Sequence, residues 1–297
     1  MKEIHGHGVA MITPFKKDGS VDFDAIPVIV NHLISGGVDF IVVLGTTAET
    51  ATLSKDEKRA LVEKIIKVNS GRLPLLLGLG GNDTQELLGM FEWFDFSYFS
   101  AILSVSPYYN KPNQEGIYQH FKSISAHSSL PIIIYNVPSR TGVNITPETV
   151  LRLAKDFKNI IAIKEASGNF QQAQTLIKVC PQNFSILSGD DEMSLPMILA
   201  GAKGVISVIG NAIPEQYSKI IHQSLLRKID EAYSIQYKFL DLIRMIYFEG
   251  NPTGIKVLME TLGLCENNLR LPLVQASKQL TIQLKDELNN LMPLKTT

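Results

Sequence analysis

The sequence predicts an α/β fold, a TIM (β/α)8 barrel followed by a C-terminal helical extension. Eight short apolar runs recur along the chain, and each is followed by a polar stretch with helical spacing. Most runs are continuously apolar rather than alternating, which is typical of parallel strands covered on both faces. We place the barrel in residues 1–227 and the helical extension in residues 228–297.

The predicted strands correspond to the eight runs, taken in chain order. They begin near Gly8 (GVAMITPF), Asp39 (DFIVVL), Leu73 (LPLLLGL), Ser100 (SAILSV), Pro131 (PIIIYN), Ile160 (IIAIK), Phe184 (FSILSG) and Gly204 (GVISVIG). Their spacing is close to one strand plus one helix, so each run opens one βα unit. A doubly wound sheet is the alternative, but the first run lacks the glycine fingerprint that such sheets often carry.

Helix-start signals mark several of the intervening segments. Ser54, with Glu57 three residues later, predicts a capping box. Thr146 and Pro147 open a second helix, and Pro214 opens a third. The pattern after residue 227 is helical, in IDEAYSIQYKFLDLIRMIYFEG, TGIKVLMETLG and QASKQLTIQLKDELNNL.

Composition excludes several classes of function. The net charge is −1, from 28 basic and 29 acidic residues with no Lys/Arg run, so we expect no nucleic-acid partner. No apolar run approaches the roughly 18 residues of a membrane span. Cys180 and Cys265 form no C-x-x-C pair, which favours a cytoplasmic protein without disulfides or a cysteine metal site.

Polar side chains gather at the predicted carboxyl ends of the strands, where barrel enzymes hold their chemistry. Lys164 is the least expected of them, since it ends a buried strand. It either extends outward to solvent or faces the interior, where desolvation lowers the pKa of a lysine and makes it a Schiff-base nucleophile. Tyr135, one strand away, is either a proton shuttle or a core tyrosine.

The other candidates also have two interpretations each. Thr46 and Thr47 suit the binding of a small carboxylate, or form an ordinary turn. Arg140 is of the type that clamps a carboxylate, or is a surface arginine. Asp190 and Asp191 suit a metal or, as we favour, cap the helix that begins in EMSLPMILAG.

Taken as a set, six motifs resemble those of the 4-hydroxy-tetrahydrodipicolinate synthase (dihydrodipicolinate synthase) family: GTTAET, SPYYNKP, IYNVPSRTG, IAIKEASG, SGDD and GVISVIGN. NVPSRTG is the most specific, because the sister sialate and sugar-acid lyases usually lack its arginine. The resemblance covers nearly the whole chain and implies a (β/α)8 barrel with a C-terminal helical domain. It implies a lyase that condenses pyruvate with L-aspartate 4-semialdehyde in lysine and diaminopimelate biosynthesis.

The resemblance also implies the catalytic roles. Lys164 forms the Schiff base with pyruvate, Tyr135 donates and accepts protons, and Thr46 links Tyr135 into a relay. Tyr109 completes the relay from a neighbouring subunit, so the active unit is at least a dimer. Tetramers are usual in the family, and the resemblance therefore implies a homotetramer built as a dimer of dimers. No metal or other cofactor is implied, because the iminium supplies the positive charge itself.

Substrate binding and regulation are implied in the same way. Thr47 and Ile206 hold pyruvate, and Arg140 holds the carboxylate of the semialdehyde. Four residues match the site at which many members bind lysine as an inhibitor: Thr50, Asn82, Glu86 and Tyr108. Lys55 and Lys58, however, stand where inhibited bacterial members often have histidines, and their charges would repel a cationic ligand.

Two further positions depart from the family pattern. Ala48 replaces the usual glycine after the two threonines, which we expect to be tolerated. The aromatic stretch 91–101 (FEWFDFSYFSA) replaces a small-residue turn. We interpret it as a helix end packed on the barrel wall, with an interface patch as the alternative.

Three rival hypotheses stay open at this point. The first is a sister pyruvate-dependent aldolase acting on a longer sugar acid, against which Arg140 argues. The second is a non-catalytic barrel that senses small acids, against which Lys164, Tyr135 and Thr46 argue together. The third is a metal-dependent hydrolase built on Asp190 and Asp191.

Overall fold

The computed structural model describes residues 4–293. Its strands form a closed parallel barrel in sequence order, with the last strand paired to the first. The strands are β1 (Gly6–Ala10), β2 (Phe40–Val43), β3 (Leu75–Gly78), β4 (Ala101–Val105), β5 (Ile132–Asn136), β6 (Ile160–Glu165), β7 (Ser185–Ser188) and β8 (Gly204–Ser207). Each of the eight predicted runs overlaps one of these strands, and the predicted fold class is confirmed.

Helices alternate with the strands and continue beyond them. They are α1 (Ala25–Ser35), α2 (Lys55–Asn69), α3 (Thr84–Gly89), α4 (Gln114–His127), α5 (Pro138–Thr141), α6 (Pro147–Asp156), α7 (Phe170–Val179), α8 (Ser194–Ala200), α9 (Pro214–Leu225), α10 (Ile229–Met245), α11 (Thr253–Thr261) and α12 (Lys278–Leu291). Helices α10 to α12 are the predicted C-terminal helices. The boundary between residues 227 and 228 stays a prediction.

The predicted helix starts are present. The Ser54 hydroxyl accepts the Glu57 N–H at 3.2 Å, and the Glu57 carboxylate accepts the Ser54 N–H at 2.9 Å, which completes the capping box at α2. Thr146 caps α6 with Pro147 in its first turn, and Pro214 opens α9.

Two apolar layers explain why the strands are apolar on both faces. One layer fills the barrel lumen and includes Val42, Leu103, Ile133 and Ile206. The other lies between the strands and the surrounding helices, and it receives the alternate strand residues such as Ile134. A strand covered on both sides gains burial from every residue, so its sequence does not alternate.

The aromatic stretch is only partly as predicted. Residues Phe91, Phe94 and Phe96 are partly buried and pack against the main core, as expected for a segment on the barrel wall. The backbone, however, forms two 3₁₀ turns, Met90–Trp93 and Phe96–Tyr98, rather than the end of an α-helix. These turns follow α3, which ends at Gly89.

No helix among residues 4–293 has both the length and the apolar content needed to cross a membrane.

Candidate active site

Lys164 lies inside the barrel near the carboxyl end of β6, and its side chain is 5% exposed. Its partners in the adjacent strands are Tyr135 of β5 and Leu187 of β7, which both belong to the apolar cluster of the lumen. Because strand partners in register share a face, Lys164 faces the lumen as well. The sequence left open whether Lys164 extends to solvent or faces the interior, and the structure shows that it faces the interior.

The amine of Lys164 is buried without a counter-charge. Within residues 4–293, the ion pairs leave Lys164 out, whereas the other buried lysine, Lys256, is paired with Glu49. The adjacent carboxylate, Glu165, accepts hydrogen bonds from Asn136, Ser167 and Gln172 instead. The Lys164 amine is therefore not held by a carboxylate, which leaves it available to react with a carbonyl compound.

Tyr135 is the nearest aromatic group to that amine. The Lys164 Nζ atom lies 4.5 Å from the centroid of the Tyr135 ring, and Tyr135 itself is buried. Ile206 lies in the same lumen cluster as Tyr135. The structure thus brings together three of the residues predicted for the site, on strands β5, β6 and β8.

Gly189 makes room for the lysine stem. A Cβ atom at this position would lie 2.6 Å from the Ala166 Cβ and 2.9 Å from the Lys164 Cε. Both distances are shorter than ordinary carbon contacts, so only glycine accommodates the observed position of Lys164.

A short turn after β2 carries the two threonines. Thr46–Ala48 forms a 3₁₀ turn, and Glu49, which follows it, has a left-handed backbone with φ of 53°. The Thr13 hydroxyl donates to the Ala48 carbonyl at 2.7 Å, and the Asn251 amide donates to Thr47 Oγ1 at 3.0 Å. Both sides of the turn are therefore held by the surrounding structure.

Asn251 is a site residue that the sequence analysis missed. It lies in the loop between α10 and α11, far from the barrel motifs in sequence, and yet it contacts both Thr47 and Arg140. The Arg140 guanidinium donates to the Asn251 carbonyl at 3.3 Å. Its segment, NPTGIKVLM, belongs to the stretch over which the chain resembles the family, but only the three-dimensional contact shows that Asn251 reaches Thr47 and Arg140.

Tyr109 does not enter the barrel of its own chain. Its side chain is 87% exposed, and its backbone has a φ of 73°, which is rare for a bulky residue. Tyr108 beside it is 40% exposed. The loop after β4 therefore presents both tyrosines outward.

Asp190 and Asp191 do not form the helix cap that we predicted for them. Asp190 accepts the N–H groups of Glu192 and Met193 in the turn before α8, whereas the N-cap of α8 is Met193, without a side-chain hydrogen bond. Asp191 is not a helix cap: its buried carboxylate accepts the N–H groups of Val208 and Ile209, directly after β8, and the Tyr247 hydroxyl.

The pKa of Asp191 reflects this environment. Burial raises it to about 6, while the two backbone N–H groups and the Tyr247 hydroxyl act to lower it. Among residues 4–293, no group of three or more His, Cys, Asp or Glu side chains is arranged to hold a metal ion.

A closed parallel barrel with an unpaired amine beside a tyrosine in its lumen defines the class of barrel enzymes that bind a carbonyl compound covalently. The sequence profile of the Dihydrodipicolinate synthetase family matches residues 3–291. The chain belongs to this family.

Individual relatives are similar over nearly their whole length. The 4-hydroxy-tetrahydrodipicolinate synthase of Flavobacterium psychrophilum is 56% identical over 284 residues, which are 96% of this chain and 97% of the relative. The dihydrodipicolinate synthase of Acinetobacter baumannii, solved with pyruvate, is 37% identical with a TM-score of 0.93, covering 97% of this chain and 99% of that one. The lysine-bound enzyme of Cyanidioschyzon merolae is 34% identical with a TM-score of 0.94, covering 99% and 100%.

The role of Gly189 is testable by the substitution Gly189→Ala. The added methyl group displaces the Lys164 stem, so we expect the rate at which Lys164 is alkylated by a small carbonyl compound and borohydride to fall roughly tenfold or more. Peptide mass mapping measures the modified fraction at Lys164. Gly89→Ala is the matched control, since a Cβ there meets no atom within 4 Å. Equal rates in both variants would contradict the role of Gly189.

Proposed function

We propose that this enzyme condenses pyruvate with L-aspartate 4-semialdehyde to give 4-hydroxy-tetrahydrodipicolinate, a step of lysine and diaminopimelate biosynthesis. The observation that carries the proposal is the buried Lys164 amine, unpaired with any carboxylate in residues 4–293, beside Tyr135. The named activity of the Flavobacterium psychrophilum relative supports the choice of reaction. The Acinetobacter baumannii structure with pyruvate supports the first substrate.

The chemistry follows from a buried lysine amine that is free of an ion pair within residues 4–293. The Lys164 nitrogen attacks the ketone carbon of pyruvate, and loss of water leaves an iminium ion. The iminium accepts electrons, so the pyruvate methyl group loses a proton and an enamine forms. The enamine carbon then attacks the aldehyde of the second substrate, and a new carbon–carbon bond results.

We assign the proton transfers of this sequence to Tyr135 and Thr46, with Tyr109 of a neighbouring subunit completing the relay. The position of Tyr135 against the Lys164 amine supports its role, since a proton carrier must reach the reacting atoms. The half-buried Thr46 lies at the start of the turn after β2. The exposed Tyr109 is available to a partner chain.

We assign the binding of pyruvate to Thr47 and Ile206, and the binding of the semialdehyde carboxylate to Arg140. Ile206 shares the lumen with Tyr135, and Thr47 is buried at the end of β2. Arg140 is exposed, and its guanidinium is oriented by Asn251, which also contacts Thr47. A guanidinium so placed matches the planar geometry of a carboxylate.

Reduction with borohydride in the presence of pyruvate tests the function. We expect a stable adduct on the peptide that contains Lys164, because borohydride reduces the imine to a secondary amine. The peptide that contains Lys256 is an internal control, since this second buried lysine is held in an ion pair. The variant Lys164→Ala should give no adduct. An unmodified Lys164 peptide in the native enzyme, or an adduct only elsewhere, would overturn the proposed function.

We also propose a homotetramer, arranged as a dimer of dimers in which Tyr109 is shared between subunits. The support is the outward projection of Tyr109 on a strained backbone, because strain of this kind persists only where surrounding structure or a partner requires it. A cytoplasmic location is proposed on the free Cys180 and Cys265.

A subunit-mixing experiment tests the sharing of Tyr109. Lys164→Ala and Tyr109→Phe are each expected to be nearly inactive, but mixed dimers contain one site with an intact lysine and the partner's intact tyrosine. Random pairing should restore about a quarter of native activity. The control mixture, Lys164→Ala with Tyr135→Phe, should restore none, because both residues serve the same chain's site. Absence of recovery in the first mixture, with exchange confirmed by native mass spectrometry, would exclude a shared Tyr109.

We further propose that Thr50, Asn82, Glu86 and Tyr108 form a regulatory site for lysine with reduced affinity. The amines of Lys55 and Lys58 lie 5.0 Å and 6.0 Å from the centroid of the Trp93 ring. Burial lowers the pKa of Lys58, and Glu86 acts to raise it. Two ammonium groups in this region oppose the binding of a third cation.

The double variant Lys55→His/Lys58→His tests this proposal. Neutral imidazoles remove the repulsion at pH 8, so we expect lysine to inhibit the variant at a concentration at least roughly tenfold lower than the native enzyme. Activity assays at increasing lysine concentration measure the effect. Lys67→His, in the last turn of the same helix, is the control. Unchanged sensitivity in the double variant would contradict the proposal.

A further inference from the structure

Glu49 is a buried carboxylate directly after the turn that carries Thr46 and Thr47. Its residue is 5% exposed, and its backbone is in the left-handed region. Such a conformation is unfavourable for a non-glycine residue and persists only where other contacts impose it. The contacts that hold the Glu49 side chain therefore help to set the backbone conformation of the turn.

Both oxygens of this carboxylate are bound by the C-terminal helical segment. The Lys256 ammonium, on α11, lies 2.5 Å from Glu49 Oε1, and the Arg270 backbone N–H donates to Oε2 at 3.2 Å. The Lys256 and Glu49 side chains are 0% and 1% exposed. The ion pair is thus fully removed from water.

The surroundings of Lys256 fix the position of its amine. It also donates to the Asn268 carbonyl at 2.7 Å and lies 4.4 Å from the centroid of the Phe15 ring. Burial lowers the pKa of Lys256, whereas Glu49 acts to raise it. Removing either partner would leave the other as an isolated buried charge.

Stability alone is a weak reason for this arrangement. A buried ion pair often contributes no more to the free energy of folding than a well-packed apolar pair of similar volume. What an ion pair adds is a defined direction and distance, and here it links α11 to the residue that ends the catalytic turn. Asn251 and Thr13 hold the same turn at Thr47 and Ala48.

We propose that Glu49 and Lys256 are positioning residues, through which the C-terminal helical segment sets the geometry of Thr46 and Thr47. The inference rests on the proposed function, since it assigns the turn to catalysis. Neither residue contacts Lys164 or Tyr135 through a hydrogen bond or ion pair within residues 4–293. Their effect passes through the backbone between Thr46 and Glu49.

Three variants test this role: Glu49→Gln, Lys256→Met and the double variant. We expect kcat/KM for pyruvate to fall about tenfold to hundredfold in each, because a displacement of about 1 Å at a catalytic turn has effects of this size. The KM for pyruvate should rise and kcat should fall, with the KM for the semialdehyde little changed. Glu49→Gln and Lys256→Met each leave one buried charge and are at risk of misfolding, whereas the double variant removes both charges.

The controls separate positioning from simple loss of stability. Leu284→Ala removes a buried side chain of α12, the helix that packs against α10 and α11, and it should lower the melting temperature without changing the KM for pyruvate. Lys285→Met removes a half-exposed ion pair with Glu260, at 3.4 Å, and should change neither quantity. The double variant should melt close to the native enzyme and still show the raised KM.

Two results would be decisive. Native kcat and KM in a folded double variant would overturn the positioning role while leaving the proposed function intact. If borohydride and pyruvate give no adduct on Lys164 in the native enzyme, the proposed function is overturned instead. At saturating pyruvate, we expect the adduct to form in all three variants, because the amine itself is untouched.

Discussion

The burial of one amine without a carboxylate partner is the constraint on which the site depends. An ammonium removed from water loses roughly several kcal/mol of solvation free energy, which only a counter-charge or loss of the proton can offset. Lys256 has such a counter-charge in Glu49, whereas Lys164 has no ion pair among residues 4–293. The closed barrel makes the burial of Lys164 possible, because its packed lumen removes the side chain from solvent.

The same constraint explains the residues around the amine. Glu165 follows Lys164 directly, but side chains alternate along a strand, so Glu165 points away from the lumen. On that outer side, Asn136 and Gln172 donate hydrogen bonds to its carboxylate. Gly189 leaves space that any larger residue would fill. Asp191 holds the backbone after β8 and forms no ion pair with Lys164. These neighbours therefore leave Lys164 without a carboxylate partner within residues 4–293.

The sequence predicted the eight strands because each is covered on both faces and so carries an unbroken apolar run. It also predicted the capped helices, since a cap such as Ser54 with Glu57 is a local interaction. The sequence could not predict whether the Lys164 side chain points into the lumen, because a shift of one residue in strand register moves every side chain to the opposite face. Asn251 and the Glu49–Lys256 pair were missed for a different reason: their contacts span more than 200 residues. The cap predicted at Asp191 was wrong because its partners Val208, Ile209 and Tyr247 lie on other elements, 17 to 56 residues further along the chain.

These long-range contacts give the helices after the barrel a place in the chemistry. Asn251 contacts Thr47, Lys256 binds Glu49, and the Arg270 guanidinium donates to the Thr52 carbonyl at 2.8 Å. All three lie beyond α10, yet all three meet the segment between β2 and α2. A barrel alone would leave this segment as an exposed loop, with the left-handed Glu49 unsupported. The C-terminal helical segment is therefore part of the site, because its contacts restrict the turn that carries Thr46 and Thr47 before any substrate binds.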